Sequence, residues 1–497
     1  MLPQHWSIKL VNRNTEDIDE ADLDWADMVM TGGMMPQQWD TLAIIELAHA
    51  HGKVVVVGGP GITSTPAPYH AADFKVLGEA EGLIDGFVAD WRAGVRAGTY
   101  EGVRFKADVT AAPIPRWDLL KFDQYLHVGV QFSRGCPFTC EFCDIIELYG
   151  RVPRTKTALQ VIGELDSLYA LGYRGHVDFV DDNLIGNKRA VKAFLPHLKA
   201  WQEKHHYPFD FSTEASVNLA DDDELLGLMR DASFFAVFIG IESPDNETLI
   251  KMQKKQNTRR VLSESIRHIY DAGIFVMGGF IVGFDTEMDA VAGPIVKLIE
   301  DASIPIAMVG LLYALPNTQL TRRLEQEGRL FEPENGDING DQCTAGLNFV
   351  MLRARRDALT DYRTVLDSIF SPVAYFDRVR GVALSLKMPK RSLRVALGST
   401  FREFRRFLRL ITRVTLYRPD MRAQAWRTLI TILLRNPTAV TSAMRLTAFY
   451  VHLGPFSRFV VGRIDAQIGA IDAGRWIQPP LVSLPAAAEP AIAELVA

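Results

Sequence analysis

Six short apolar runs alternate with amphipathic stretches of helical period between Val128 and about Arg329. The runs are residues 128–132, 176–180, 209–213, 236–241, 275–282 and 307–312. A strand that is always followed by a helix joins its neighbours in parallel, because only a crossover returns the chain to the same end of the sheet. The pattern predicts an α/β chain whose centre, residues 128–330, is a partial (β/α) barrel with its working groups at the carboxyl ends of the strands. Residues 1–108 repeat the alternation, with strands at 7–11, 26–31, 53–57 and 74–77 and a helix at 39–51. Three of these strands end in glycine turns, Gly32-Gly33-Met34-Met35, Gly58-Gly59-Pro60 and Gly78-Glu79-Ala80-Glu81. A doubly wound domain with its ligand over the strand ends is expected there. Its opening strand and helix are missing from the pattern, as a late start codon would leave it, so the domain reads as N-terminally incomplete. A proline-bearing linker occupies 109–127, and 331–370 is a connecting segment that includes a polar loop at 333–342. A basic α-helical domain is expected at 371–475 and a flexible Ala/Pro-rich tail at 476–497.

Composition excludes several classes. With 48% hydrophobic and 23% charged residues, the chain is ordinary globular protein rather than a disordered one. Residues 1–9 hold no basic run ahead of an apolar stretch, and no window of about 18 apolar residues occurs. Neither a signal peptide nor a transmembrane helix is expected, which puts the protein in the cytoplasm or on the inner face of the membrane. The formal charge of −6 hides an asymmetry: from Arg378 to Arg463, sixteen arginines and two lysines face only Glu403 and Asp420. Residues 429–435 and 443–451 read as amphipathic helices, with arginine on one side and Leu, Ile, Phe and Trp426 on the other. Such a face is either merely solvated or a docking surface for a polyanion. Its amphipathy suits anionic lipid better than nucleic acid.

The chemistry enters with the cysteines. Four in a chain of 497 residues cannot build a disulfide scaffold. Three of them, Cys136, Cys140 and Cys143, lie in residues 133–143, SRGCPFTCEFC, directly after a predicted strand. Three thiolates suit three corners of a [4Fe–4S] cluster, and an iron left open can be chelated by an amino acid's amine and carboxylate. A zinc site completed by Cys343 or a histidine is the alternative, though paired Cys-x2-Cys knuckles are lacking. A lone loop thiol such as Cys343 usually has no role.

This motif resembles that of the radical S-adenosylmethionine (SAM) superfamily. The resemblance implies that the cluster passes an electron to SAM, from a flavodoxin- or ferredoxin-type donor. SAM is then cleaved to methionine and a 5′-deoxyadenosyl radical, which takes hydrogen from unactivated carbon. Phe142 can pack against the adenine. Asp181 and Asp182 end the next strand and could meet the α-ammonium, or simply cap a helix. Arg154 and Lys156 could pair with the methionine carboxylate, or be surface charge. Glu214 and Glu242-Ser243 end two further strands and could bind ribose hydroxyls or substrate. Gly279 and Gly283 lie in a run like the family's adenine-side strand, unless the glycines mark a bulge.

Joined to the N-terminal glycine turns, the cysteine motif resembles the cobalamin-binding radical enzymes over about residues 1–370. The stretch from CEFCDIIELYGRVPR to YALPNT looks like a subgroup with an extra helical C-terminal domain, which includes hopanoid C-2 methylases. The family implies that Gly32, Gly33, Met34, Gly58, Gly59, Thr63, Ser64 and Gly78 surround the corrin and its nucleotide tail. A lower-ligand histidine in D-x-H-x-x-G would follow the absent first strand, which leaves the cobalt ligation open. The implied activity is methylation of an unactivated carbon, with a hydrophobic small molecule or membrane lipid as substrate. Ring modification without methylation, as in tetrapyrrole-directed relatives, and a metal-stabilised nucleic-acid-binding module are the alternatives.

Overall fold

The structure is a computed structural model that describes residues 1–333, 341–387 and 397–483, the side chains of 397–404 and 406 excepted. The polar loop expected at 333–342 and the tail expected at 476–497 thus lie in part outside the described residues. The N-terminal sheet has four parallel strands in the order β1 (Met28–Gly32), β2 (Val54–Gly58), β3 (Phe74–Leu77) and β4 (Gly98–Glu101). The order advances in one direction, as in one half of a doubly wound sheet. Val54 to Val57 of β2 are all β-branched, and the strand is covered on both faces. Val55 and Val57 pack with Leu23, Ile45 and Ala48 on one side, and Val56 packs with Phe74 and Phe87 on the other. β4 has no apolar run to announce it. Tyr100 anchors it, stacked on Phe74 at 6.2 Å and donating to Asp90 at 2.7 Å. The strand expected at 7–11 does not form: those residues have no pairing partner, and Leu10 is exposed.

The central sheet has the order β12-β11-β10-β9-β8-β5, parallel throughout. Its strands are β5 (Val128–Val130), β8 (Gly175–Phe179), β9 (Phe209–Glu214), β10 (Phe234–Glu242), β11 (Phe275–Val282) and β12 (Ile306–Leu311). Each falls on one of the six apolar runs. β6 (Ser133–Arg134) and β7 (Arg154–Thr155) form a separate antiparallel ribbon that brackets the cysteine segment. Period-two alternation sorts the side chains. Val177, Phe179, Phe209 and Phe211 are fully buried in the core. His176, Asp178, Asp210, Ser212 and Glu214 occupy the opposite face, where His176 Nε2 lies 2.6 Å from Ser212 Oγ.

Residues 341–349 run along the outer edge of β12. Leu311 N–H donates to Gln342 O, and Leu347 N–H to Leu312 O, both at 2.7 Å, so the edge is not left open. Helices Arg355–Ile369, Pro372–Ser385, Leu397–Tyr417, Pro419–Arg435 and Val440–Asp472 follow. The buried Arg378 ties this layer to the barrel, donating to Ile304 O at 2.8 Å, Ile369 O at 2.6 Å and Glu300 at 2.6 Å. The start of the expected flexible tail is pinned instead. Leu481 bridges to Phe331, which leaves Val482 N–H 2.9 Å from Leu330 O. Among the described residues, no helix is long and apolar enough to cross a membrane.

Candidate functional site: a three-cysteine loop facing a glycine-lined cavity

The cysteine loop leaves β5 at the carboxyl edge of the sheet and turns at Gly135. There φ is +96°, and a Cβ would lie 3.0–3.2 Å from the carbonyl oxygens of Gly150, Val152 and Tyr149, so only glycine fits. Two carboxylates hold the loop's backbone. Asp181 accepts from Phe132 N–H at 3.0 Å, from Ser133 N–H, and from Ser133 O–H at 2.6 Å; Asp182 accepts from Gly135 N–H at 2.7 Å. Burial pushes Asp181 up to about 7 and Asp182 up to about 6. Both carboxylates are therefore engaged in shaping the loop. Burial also pushes the Cys136 and Cys143 thiols up. Two amides point at the sulfurs: Asn183 Nδ2 is 3.9 Å from Cys136 Sγ, and Gln256 Nε2 is 3.6 Å from Cys140 Sγ. Cys343 is not part of this group. Asp341 acts on it, and it lies near enough to Tyr362, beside β12, to act on that phenol.

Around the loop, the strand ends converge. β10 carries a bulge between Gly240 and Glu242, which places Glu242 at φ 66°, a conformation non-glycine residues seldom adopt. Its buried carboxylate accepts from Lys254 Nζ at 2.7 Å, and that ammonium lies 5.8 Å from the Phe142 ring centre. Phe142 meets Phe284 edge-on at 5.8 Å. Glu214 ends β9. The surrounding protein, then the like charges of Asp178, Asp182 and Asp181, push it up to about 7. Gly279 leaves room for Phe238, whose Cζ would lie 2.8 Å from an added Cβ. Three expected contacts fall elsewhere. Ser243 is fully buried and accepts from Asp245 N–H at 3.2 Å, Lys156 is paired with Glu164 at 2.6 Å, and Arg154 turns to Glu79 at 2.8 Å.

Gly283 N–H donates to Glu287 at 3.0 Å, and the other carboxylate oxygen of Glu287 is buried with no partner among the described residues. Burial pushes this group from 4.5 up to about 8. A raised carboxyl stabilises the fold fully below its ordinary range, and that contribution is lost as pH rises through about 8. Glu287→Gln keeps the acceptor and removes the titration. Its Tm should exceed the parent's by a few degrees at alkaline pH and match it in mild acid, as read by calorimetry.

On the N-terminal sheet, the glycine turns make a cradle at the strands' carboxyl ends. A Cβ at Gly32 would sit 2.2 Å from Gly58 O, so the two turns can close together only as glycine. Below them lies a cavity of about 530 Å³ lined by Thr63, Ser64, Gly78, Gly82 and Gly102, with Glu147, Leu148 and Asn317 from the barrel. The Thr63 hydroxyl is already used, donating to Gly59 O at 2.7 Å and accepting from Gly78 N–H at 2.9 Å. Met34 is exposed beside the cradle. The two sheets are clamped by charge. Arg134 donates to Glu79 at 3.1 Å and to Glu81 at 2.8 and 2.9 Å, and Arg154 shares Glu79.

A sequence profile of the radical SAM superfamily matches residues 130–299, and one for a domain of unknown function (DUF4070) matches 318–466. Over 470 residues the chain is 44% identical to an uncharacterized methyltransferase of Synechocystis sp., covering 94% of this chain and 87% of that one. It belongs to the radical SAM methyltransferases. The hopanoid C-2 methylase of Rhodopseudomonas palustris is 39% identical over 343 residues, 68% of this chain and 65% of that protein. Among solved structures, the cobalamin-dependent SAM radical enzyme OxsB matches with a TM-score of 0.55 at 15% identity, over 92% of this chain and 74% of that one. The radical SAM methyltransferase TsrM of Kitasatospora setae matches at 0.53 and 15% identity, over 62% and 66%. Both are likenesses of fold.

The residues of this radical SAM methyltransferase fit the groups its family uses. Cys136, Cys140 and Cys143 are the three thiols that would hold an iron–sulfur cluster with one iron free, and amide donors lie beside two of them. Phe142 lies within the cysteine loop, and Glu242 and Glu214 end β10 and β9. Of the residues expected around the corrin, Thr63, Ser64 and Gly78 line the strand-end cavity, together with the charged Glu79, Glu81, Glu101, Arg104 and Lys106. The sequence offered no sign of Lys254 or Gln256, which lie in KMQKKQN, a stretch that reads as polar surface.

Proposed function

We propose that the protein methylates an unactivated carbon of a hydrophobic polycyclic substrate of the hopanoid class, with cobalamin as the methyl carrier. The observation that supports the reading is that the ribbon bracketing the three-cysteine loop is joined to the turn after β3 of the N-terminal sheet by the ion pairs of Arg134 and Arg154 with Glu79 and Glu81. When bound, the cluster supplies the electron that cleaves SAM, and cobalamin supplies the methyl group. The protein's part is to position both and exclude water. Asp181 and Asp182 fix the loop, Gly279 and Phe238 shape the inner wall, and the cradle holds the carrier's tail. A low-potential flavodoxin- or ferredoxin-type protein is the electron donor. Anaerobically reconstituted enzyme with its substrate should yield 5′-deoxyadenosine and S-adenosylhomocysteine together, measured by mass spectrometry. The first product without the second would favour ring modification over methylation.

A lipid substrate calls for a place at the bilayer, and the C-terminal helices support one. Arg405, Arg409 and Arg413 follow at helical spacing and, with Leu408, Thr412 and Tyr417, line an open surface hollow of about 600 Å³. Leu416, Tyr417, Ile430 and Leu434 are exposed nearby on the same helix pair, which Trp426 joins by donating to Thr415 at 3.1 Å. Guanidinium groups beside apolar side chains suit an anionic interface. The protein should float with phosphatidylserine-rich vesicles and not with phosphatidylcholine alone, and Arg405→Glu/Arg409→Glu/Arg413→Glu should abolish the difference. Binding to nucleic acid at matched salt, without flotation, would point instead to a polynucleotide partner.

A further inference from the structure

Residues 252–257 are fastened to both halves of the site. Glu141 N–H, inside the cysteine loop, donates to Met252 O at 3.1 Å, and Asn257 Nδ2 donates to Gly240 O and Ile241 O on β10 at 2.9 Å each. The segment so held brings two polar side chains to the cysteine loop. Gln256 Nε2 approaches Cys140 Sγ at 3.6 Å. Lys254 has its ammonium buried and salt-bridged to Glu242 at 2.7 Å. It lies 5.8 Å from the ring centre of Phe142, inside the cysteine loop, and its positive charge acts on Cys136 and Cys143. A buried ammonium is costly to desolvate, and one carboxylate held by a strained residue offsets that only in part.

We propose that Lys254, oriented by Glu242 and assisted by Gln256, is a positioning residue that sets the reduction potential of the iron–sulfur cluster. The proposal rests on the cluster reading of the three cysteines. One electron from a low-potential donor makes the cluster and its thiolates more negative by one charge. A fixed cation and an N–H donor beside the sulfurs stabilise that added charge more than the oxidised state, because the surrounding protein screens poorly. Glu242 limits the effect, so the pair acts as a graded bias rather than a bare charge.

The test is a redox titration of the full chain, reconstituted anaerobically without SAM and followed by electron paramagnetic resonance of the reduced cluster. Lys254→Met should make reduction at least about tenfold less favourable at a given potential, a shift of roughly 59 mV to more negative values for one electron. Lys254→Arg, which keeps the charge, should stay close to the parent, and Gln256→Leu should shift less and in the same direction. Glu242→Gln should move the potential the opposite way, and it decides the matter if Lys254→Met fails to hold its cluster. An unchanged potential in Lys254→Met or Glu242→Gln at parental iron content overturns the proposal. Weakened SAM binding alone would make Lys254 an anchor for the SAM carboxylate instead. Parental protein without any cluster signal would overturn the underlying site reading, a failure distinct from the others.

Discussion

Cys140→Ala is expected to remove both the broad visible absorption of the cluster and all cleavage of SAM, leaving activity at background. Cys140 is the most buried of the three loop cysteines and the one that Gln256 approaches, and the other described cysteine, Cys343, lies beside Asp341 and not in the loop. A cluster with two protein ligands lacks the third corner that fixes its orientation, and the free iron could no longer face the strand ends. The fold should survive, because Ser133, Gly135 and Cys136 are held through backbone contacts to Asp181, Asp182 and Gly150 that the substitution does not touch. Near-parental circular dichroism with no iron retained would be the matching observation. SAM cleavage by Cys140→Ala at parental rate would overturn the assignment of the loop.

The double replacement Glu79→Gln/Glu81→Gln should separate the two halves of the reaction. Burial would raise Glu81, yet the hydrogen bonds and charge of Arg134 outweigh it and hold the carboxyl below its usual range. Such a lowered group lends its stabilisation above the ordinary carboxylate range and loses it as pH falls. Breaking a buried pair leaves a charge without its counter-ion, at a cost of about 3–5 kcal/mol. Here that cost falls on the contact between the cradle and the cysteine loop, not on either core. A displacement of about 1 Å between reacting groups can cost about a hundredfold in rate. Methylated product should therefore fall by about that factor, while 5′-deoxyadenosine formation and iron content stay within about threefold of the parent. Equal loss of both products would show that the clamp only supports folding.

The barrel was legible because each strand is buried on its helix-facing side and so must be apolar. Residues 275–282 coincide with a strand, and the other five runs match theirs within two residues at either end. β4 escaped notice because a single tyrosine anchors it. The site was legible in its cysteines, which carry their meaning in their spacing. The flanking charges were not. Arg154 finds its partner 75 residues upstream at Glu79, and local sequence gives no hint of that pairing. Asp181 and Asp182 lie at the right strand end, but the backbone amides they accept from belong to a loop whose path depends on Gly135 and the short ribbon β6–β7. Lys254 and Gln256 gain their chemistry only from cysteines more than a hundred residues earlier in the chain.

Residues 330–331 are flanked by Phe349 on one side and Leu481 on the other. The helical layer between those two bridges is thus an excursion whose departure and return meet at one seam on the barrel wall. A unit fastened at both ends cannot swing as a free arm. Whatever surface its arginines settle on, the angle between that surface and the cysteine loop is set by the seam rather than by a hinge.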